Sequence, residues 1–434
     1  MTEQAETRNS TYYHALVDLA VLAGEIMMSS GAETQRTEDT MIRILSTSGL
    51  PRADAFVLST GLTLTLSYDP SHTITVTRRA ASVSNNLGRV YEVNRISRDF
   101  CDGRLTLEEA TAEMKKARHL HLYNNPLKIL GGVLTSGTFS YMFGGTVADA
   151  VAAMICGLVL MLTMPMLQAR LNRAFVTTAI ASLMMALSAT TLDFIGNNYL
   201  GIELRSQYLI VGAMMPVVPG VAITNAIRDM LQGDYVSACA RIMDAFLTAA
   251  AVAVGVGLGL SISRELGFPL TGLSFVFAPS DSVGLQLLWE AIAAFIAAYG
   301  FCFLLEVPKR LILPSSTAAT VCWILYLLGG LMGFASAWSA LLASAAVYLF
   351  SYVLARRLKA PVSVFLIVAI LPLVPGFNIY RTIYCMIIGE GSTAEALAAT
   401  LLMAGAIALG IFVADLINDL IKKTIKRKKI RHSV

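Results

Sequence analysis

The sequence predicts a polytopic α-helical membrane protein with ten transmembrane helices, arranged as two inverted five-helix repeats and preceded by a small cytosolic α+β domain. Of its 434 residues, 56% are hydrophobic and only 14% are charged, and the mean hydropathy is +0.65. This balance is typical of membrane proteins. The long apolar runs begin only near residue 127, and within them one proline motif recurs 156 residues later.

Residues 1–122 form the predicted cytosolic domain. Residues 1–120 carry 13 Lys/Arg and 15 Asp/Glu with ordinary amphipathic patterning, unlike the rest of the chain. The opening residues MTEQAETRNS lack the basic start and apolar core of a cleaved secretory signal. We therefore expect this domain to stay in the cytosol.

The periodicity of the apolar residues predicts the elements of this domain. Helical spacing indicates one helix over 13–29 and a second that contains Met41–Leu45. Alternation at 62–66 and 74–76, around the turn residues YDPSH, predicts a hairpin. An Arg-rich helix is expected over 87–101, and Thr106 with Glu109 forms a capping-box pattern before another helix.

The chemistry of this domain is left partly open by its sequence. Its arginines are interleaved with acidic residues, which favours a solvated, salt-bridged face over a nucleic-acid surface. The polar stretch SGAETQRTED (30–39) could bind a small anion or dock against the membrane part. The six cysteines and five histidines lack the close pairing of zinc ligands, and no nucleophile with a base is recognisable. We expect no metal, no cofactor and no enzymatic activity.

Ten apolar segments are long enough to cross a bilayer, which takes about 20 residues. They form repeats over 123–263 and 284–418, followed by a basic cytosolic tail at 419–434. The predicted spans are 127–145, 147–166, 174–192, 207–227, 239–262, 284–305, 313–331, 336–355, 362–388 and 394–417.

Basic residues in the short loops set the predicted orientation. With a cytosolic N-terminus, the inner loops hold nine Lys/Arg and the outer loops only Arg205 and Arg264. The tail KKTIKRKKIRH adds seven cations on the inner side. By the positive-inside rule, both termini are expected in the cytosol of a cell whose cytoplasmic membrane holds the protein.

The segment PVVPGVAITNAIRDMLQGD, starting at Pro216, is repeated as PLVPGFNIYRTIYCMIIGE, starting at Pro372. Eight positions in this window are identical at an offset of 156 residues. Because each predicted repeat has five spans, the second must have the opposite orientation to the first. Inverted repeats underlie many secondary transporters, in which related halves expose one central site alternately to each side.

The prolines and glycine of each motif predict a helix broken near the middle of the membrane. Proline removes a backbone donor and clashes with the preceding turn, and unpaired backbone groups at that depth require a cavity, water or ligand. The helix that restarts after the break points N–H groups into the protein, which suits a substrate carboxylate. The predicted substrate-binding residues are Pro216, Pro219, Gly220, Thr224, Asn225, Pro375, Gly376, Asn378, Tyr380 and Arg381.

Carboxylates within the spans are candidates for proton coupling. Asp244 and Glu290 are the two that we favour, and Asp415 lies near the end of the last span. An ionisable residue inside the membrane costs free energy, and where one occurs it marks a proton or substrate path. The expected partners are therefore a small carboxylate-bearing solute, protons and membrane lipids, whereas the oligomeric state is left open.

Three segments carry a resemblance to a known family. GEIMMSSGAETQRTEDTMIRILSTSGL, GRVYEVNRISRDF and VGAMMPVVPGVAITNAIRDMLQGDYVSACAR resemble the threonine/serine exporter family, and the likeness covers nearly the whole chain. The resemblance implies export of threonine and serine across the cytoplasmic membrane, driven by the proton motive force. A related branch resembles dicarboxylate exporters, so succinate-like export is the alternative. A membrane-anchored enzyme with a catalytic N-terminal domain is a further alternative.

Overall fold

The computed structural model describes residues 2–50, 52–69, 72–79, 84–268, 283–374, 376–388 and 392–431. The N-terminal domain combines four helices with one sheet. Its elements are α1 (Thr2–Ser29), α2 (Thr34–Ser46), β1 (Arg52–Leu58), β2 (Gly61–Asp69), β3 (His72–Arg79), α3 (Leu87–Cys101) and α4 (Leu107–Arg118). The predicted α+β content of this region is confirmed.

The sheet of the N-terminal domain is antiparallel in the order β1-β2-β3, and it confirms the predicted hairpin. Leu64 of β2 pairs with Val76 of β3 on one side and with Ala55 of β1 on the other. β1 was not predicted because its inward positions are small alanines and only Val57 is fully buried. Alternation between alanine and a polar residue gives a weak strand signal.

The inner face of the sheet closes the core of this domain. Leu62, Leu64 and Leu66 are buried together with Met27 of α1 and Met41 of α2. The expected capping box begins α4: the Glu109 N–H donates to Thr106 Oγ1 at 3.3 Å, and the Thr106 N–H donates to Glu109 Oε2 at 2.9 Å.

The remaining described residues are almost entirely helical. The helices are α5 (Asn125–Met142), α6 (Val147–Leu171), α7 (Ala174–Ile195), α8 (Ser206–Met214), α9 (Gly220–Leu231), α10 (Tyr235–Glu265), α11 (Val283–Leu304), α12 (Lys309–Leu331), α13 (Ser336–Leu358), α14 (Val362–Ile370), α15 (Gly376–Ile388) and α16 (Thr393–Arg431). A single π-helical turn, Gly196–Leu200, follows α7, and a 3₁₀ turn, Leu371–Leu373, follows α14.

Seven helices among the described residues are long and apolar enough to cross a membrane: α6, α7, α10, α11, α12, α13 and α16. They confirm a polytopic helical membrane protein. Helix α5 and the interrupted pairs α8/α9 and α14/α15 are not among the seven. The count of ten spans therefore stays a prediction.

Both predicted helix breaks are confirmed. Helix α8 ends at Met214 and α9 begins at Gly220, while α14 ends at Ile370 and α15 begins at Gly376. Helix α14 starts and ends 156 residues after α8, and α15 starts 156 residues after α9. The offset found in the sequence is thus also the offset of the helix boundaries around the breaks.

Glu306, in the turn between α11 and α12, holds the segment that follows the N-terminal domain. Its Oε1 accepts a hydrogen bond from Lys128 Nζ at 2.6 Å and lies 3.0 Å from Nδ1 of His121. Its Oε2 accepts from the Leu122 N–H at 2.8 Å. Burial alone would raise the pKa of Glu306, but these bonds favour the charged form and the pKa lies below its usual value.

The contacts of Glu306 with Lys128, His121 and Leu122 should weaken in acid. Because the pKa of Glu306 is lower in the folded protein, its stabilisation is complete above the ordinary glutamate pKa and is lost as the pH falls through the folded value. Thermal unfolding of the purified protein, followed from about pH 6 to about pH 3, should show an acid-side loss of stability that is smaller in Glu306→Gln. Glu265→Gln, an exposed position at the end of α10, is the matched control. An unchanged acid slope in Glu306→Gln would contradict this assignment.

Candidate functional site

The two helix breaks have the same local geometry. The Gly220 N–H donates to the Val218 carbonyl at 2.7 Å, and the Gly376 N–H donates to the Val374 carbonyl at 2.6 Å. Each is a tight turn that closes between residues two apart. Proline explains the interruption, since Pro216 and Pro219 provide no backbone donor to continue α8. Pro375, at the matching place in the second break, lies outside the described residues.

The breaks contact each other. A Cβ added to Gly220 would lie 3.2 Å from Cδ2 of Leu371 and 3.2 Å from Cγ2 of Val374. A Cβ added to Gly376 would lie 2.8 Å from the sulfur of Met215. A side chain at either glycine would therefore press on side chains of the other break, which would have to shift to make room. The structure brings the two halves of the duplicated motif together.

Little space remains beside the first break in this conformation. A cavity of about 10 Å³ is lined by Val218, Pro219, Ile379 and residues of α8 and α10. That volume holds at most about one water molecule. A molecule larger than water could enter here only if the breaks moved apart.

Helices α9 and α15 both begin at the breaks. The first N–H groups of a helix have no partner within it, and this end carries a partial positive charge. Pro219 precedes α9 and gives it no side-chain cap. The start of α9 therefore suits an anionic group at the contact between the breaks.

The polar residues beyond the first break have partners in the structure. The hydroxyl of Thr224 donates to the Gly220 carbonyl at 2.8 Å and stabilises the first turn of α9. The amide Nδ2 of Asn225, which is fully buried, donates to the Gly31 carbonyl at 2.9 Å. Gly31 belongs to the turn between α1 and α2, so Asn225 faces the N-terminal domain.

The residues beyond the second break are less enclosed. Asn378 is half-buried in α15, and Arg381 is exposed on the same helix. Tyr380 belongs to α15, but its side chain lies outside what the structure describes. Arg381 occupies the position of α15 that Asn225 occupies in α9, and the anion expected as its partner stays a prediction.

The candidate proton-coupling carboxylates have different surroundings. Glu290 is buried in α11, and its Oε2 accepts a hydrogen bond from the indole Nε1 of Trp323 at 2.9 Å. Asp244 is exposed on α10, beside a cavity at the junction with the N-terminal domain. Asp415 accepts a hydrogen bond from the hydroxyl of Tyr348.

One buried ion pair connects the N-terminal domain with α9 and another joins α9 to α10, and the sequence revealed neither of them. Nη1 of Arg228 lies 2.5 Å from Oε1 of Glu33, and Nε of Arg241 lies 2.9 Å from Oδ2 of Asp229. The Nη2 group of Arg241 also donates to the Ala32 carbonyl at 2.8 Å. Of the two roles left open for residues 30–39, the structure shows docking against the membrane helices.

The N-terminal domain also reaches the second interrupted pair. Nη1 of Arg36 in α2 donates to Oγ of Ser363 at the start of α14, at 2.8 Å. Burial lowers the pKa of Arg36, and the nearby carboxylate of Glu33 acts against that shift. An arginine remains charged under these conditions. One domain thus contacts both interrupted helix pairs.

Nearly the whole chain matches known proteins. A family model described as "Putative threonine/serine exporter" matches residues 18–263, and one described as "Threonine/Serine exporter, ThrE" matches residues 290–417. The chain is 24% identical over 408 residues to "Threonine/serine exporter" of Corynebacterium glutamicum, a match covering 92% of this chain and 82% of that protein. It is 21% identical over 414 residues to "Probable threonine/serine exporter" of Mycobacterium tuberculosis (strain ATCC 25618 / H37Rv), covering 92% and 76%. No solved structure gives a significant match.

Proposed function

Because the chain belongs to the threonine/serine exporter family, we propose that it exports threonine and serine across the cytoplasmic membrane by proton-driven alternating access at the two helix breaks. Membership in this family makes the chain an amino-acid exporter, and its long apolar helices make it a multi-pass membrane protein. The substrate, the driving ion and the mechanism are the parts that we propose.

The observation that carries the proposal is the contact between two breaks of equal geometry. Gly220 packs on Leu371 and Val374 while Gly376 packs on Met215, so each half closes on the break of the other. Separation of these contacts would expose the N–H groups at the starts of α9 and α15. Such groups bind carboxylates well, and every amino acid has one.

Two inverted repeats would supply the required motion. The shared 156-residue offset of α8 with α14, and of α9 with α15, supports repeats over 123–263 and 284–418. Related halves with opposite orientation can exchange conformations at similar free energy, which opens the central site first to one side and then to the other.

The contacts of the N-terminal domain support a cytosolic location for it. It docks on Arg228 and Arg241. In addition, Cζ of Arg310 lies 4.9 Å from the centre of the Tyr91 ring. These arginines lie in α9, α10 and α12, and they are among the nine basic residues whose positive charge predicts the inner side. The N-terminal domain and the basic tail would then both lie in the cytosol.

Glu290 is the proposed proton carrier. It is buried, and the indole of Trp323 that binds it is neutral, so a charged carboxylate is costly there and proton uptake removes that cost. Asp244, the other predicted carboxylate, is exposed at the edge of a cavity. Its position suits contact with substrate better than proton storage in the membrane.

The test is uptake of labelled threonine by proteoliposomes that contain the full chain, with and without an imposed pH gradient. We expect gradient-dependent uptake that unlabelled serine blocks and succinate does not. Inhibition by succinate instead of serine would favour dicarboxylate export. Absence of gradient-dependent threonine movement would overturn the proposal.

A further inference from the structure

A cavity of about 150 Å³ lies between the N-terminal domain and helices α9 and α10. The membrane helices contribute Val221, Ala222 and Asn225 of α9 and Ala240, Arg241 and Asp244 of α10. The N-terminal domain contributes Met28, Ala32, Thr34, the stretch Val57–Thr60 and Asn85. Val221 directly follows Gly220, so this junction cavity adjoins the first helix break.

One polar atom buried at the junction cavity lacks a hydrogen-bond partner within the described chain. It is Oδ1 of Asn225, a residue that is 0% exposed. A buried polar atom left unpaired is unfavourable, because it has lost its hydrogen bonds to water. Such groups persist when a molecule outside the protein chain satisfies them, either water or a ligand with hydrogen-bonding groups.

Opposite charges line the junction cavity on one face of α10. Arg241 and Asp244 are three residues apart, so their side chains are neighbours on the helix. A guanidinium has five N–H donors, and the contacts of Arg241 with Asp229 and Ala32 use two of its nitrogen atoms. Asp244 is exposed, and among the described residues no ion pair includes it.

The size and mixed lining of the junction cavity fit a small amino acid. A cavity of about 150 Å³ accepts a molecule the size of benzene. Apolar walls from Val57, Leu58 and Val221 lie beside the charged pair. A zwitterion presents a carboxylate and an ammonium group, which match one cation and one anion, whereas a dicarboxylate would bring its second charge against Asp244.

We propose that the junction cavity is a first binding site for the exported amino acid, occupied before the substrate reaches the helix breaks. Arg241 binds its α-carboxylate, Asp244 binds its α-ammonium group, and Thr34 with Asn225 binds the side-chain hydroxyl. This inference rests on the proposed function, which supplies the amino acid as substrate.

Two variants test the junction cavity in the full chain. Asp244→Asn removes the anion at an exposed position, and it should raise the KM for threonine in proteoliposomes by about tenfold, equivalent to about 1.4 kcal/mol, with little change in kcat. Thr34→Val is isosteric and keeps the backbone N–H that lies 3.4 Å from Asp229 Oδ1. It should abolish the preference of the transporter for threonine over valine without loss of thermal stability.

Glu265→Gln, a charge removal on the same helix, is the matched control and should keep the wild-type KM. If both Asp244→Asn and Thr34→Val keep the wild-type KM and threonine preference, the junction cavity is not a substrate site, although the proposed function stands. A fall in kcat alone would also overturn the inference. A wild-type chain that does not move threonine at all would instead overturn the proposed function.

Discussion

Gly220→Leu is expected to reduce threonine exchange across proteoliposome membranes by about 100-fold. Even a Cβ at this position would lie 3.2 Å from Leu371 and Val374, so a leucine side chain has no room unless the two breaks shift. Overpacking of this kind costs about 1–3 kcal/mol, which is not enough to unfold most proteins. Displacement of the backbone that binds substrate by about 1 Å suffices for the loss of rate.

Gly330→Leu provides the matched control for this substitution. Gly330 lies in the apolar helix α12 and is exposed, and a Cβ added there would meet no atom within 4 Å. The same change of residue should therefore leave exchange near the wild-type rate. If Gly220→Leu and Gly330→Leu exchange threonine at equal rates, in preparations of equal thermal stability, the first break takes no part in transport.

Glu290→Gln should uncouple threonine transport from the proton gradient. With one proton per substrate, a gradient of about one pH unit supports about a tenfold solute gradient, or about 1.4 kcal/mol. Glutamine has nearly the same shape as glutamate and its carbonyl can still accept the hydrogen bond from Trp323, but it cannot carry a proton. We expect gradient-driven accumulation of threonine to disappear while threonine exchange at equal pH continues.

Trp323→Phe is the complementary variant. It removes the indole donor that lies 2.9 Å from Glu290 Oε2 but leaves the carboxyl group in place. Accumulation should therefore persist, with an altered dependence on pH. Full accumulation by Glu290→Gln would show that another group couples proton movement to export.

The helix breaks could be predicted from sequence because their cause is local. Proline and glycine interrupt a helix wherever they occur together, and the recurrence of Pro216–Gly220 after 156 residues located the second break as well. The α+β character of the N-terminal domain followed from periodicity for the same reason. Strand β1 was not predicted, because Ala53 and Ala55 are small and contribute little to the hydrophobic alternation.

The junction between the domains could not be predicted, because its contacts join residues 194 to 209 positions apart. Arg228 and Arg241 entered the sequence argument only as loop charges that set orientation. In the structure both are largely buried: Arg228 binds Glu33, and Arg241 donates to the Ala32 carbonyl. Asn225 was expected to face a site at the break, but its amide donates to Gly31 of the N-terminal domain. Pairings of this kind depend on tertiary structure, which a single sequence does not show.

The central claim is that both breaks belong to one substrate site, and Gly376→Leu tests it most directly. The measurement is the initial rate of threonine exchange by this variant, beside Gly220→Leu and Gly330→Leu. Because Gly376 packs on Met215 of the first break, the account predicts that Gly376→Leu loses exchange as completely as Gly220→Leu. Wild-type exchange by Gly376→Leu, with Gly220→Leu inactive, would contradict a site shared by the two halves.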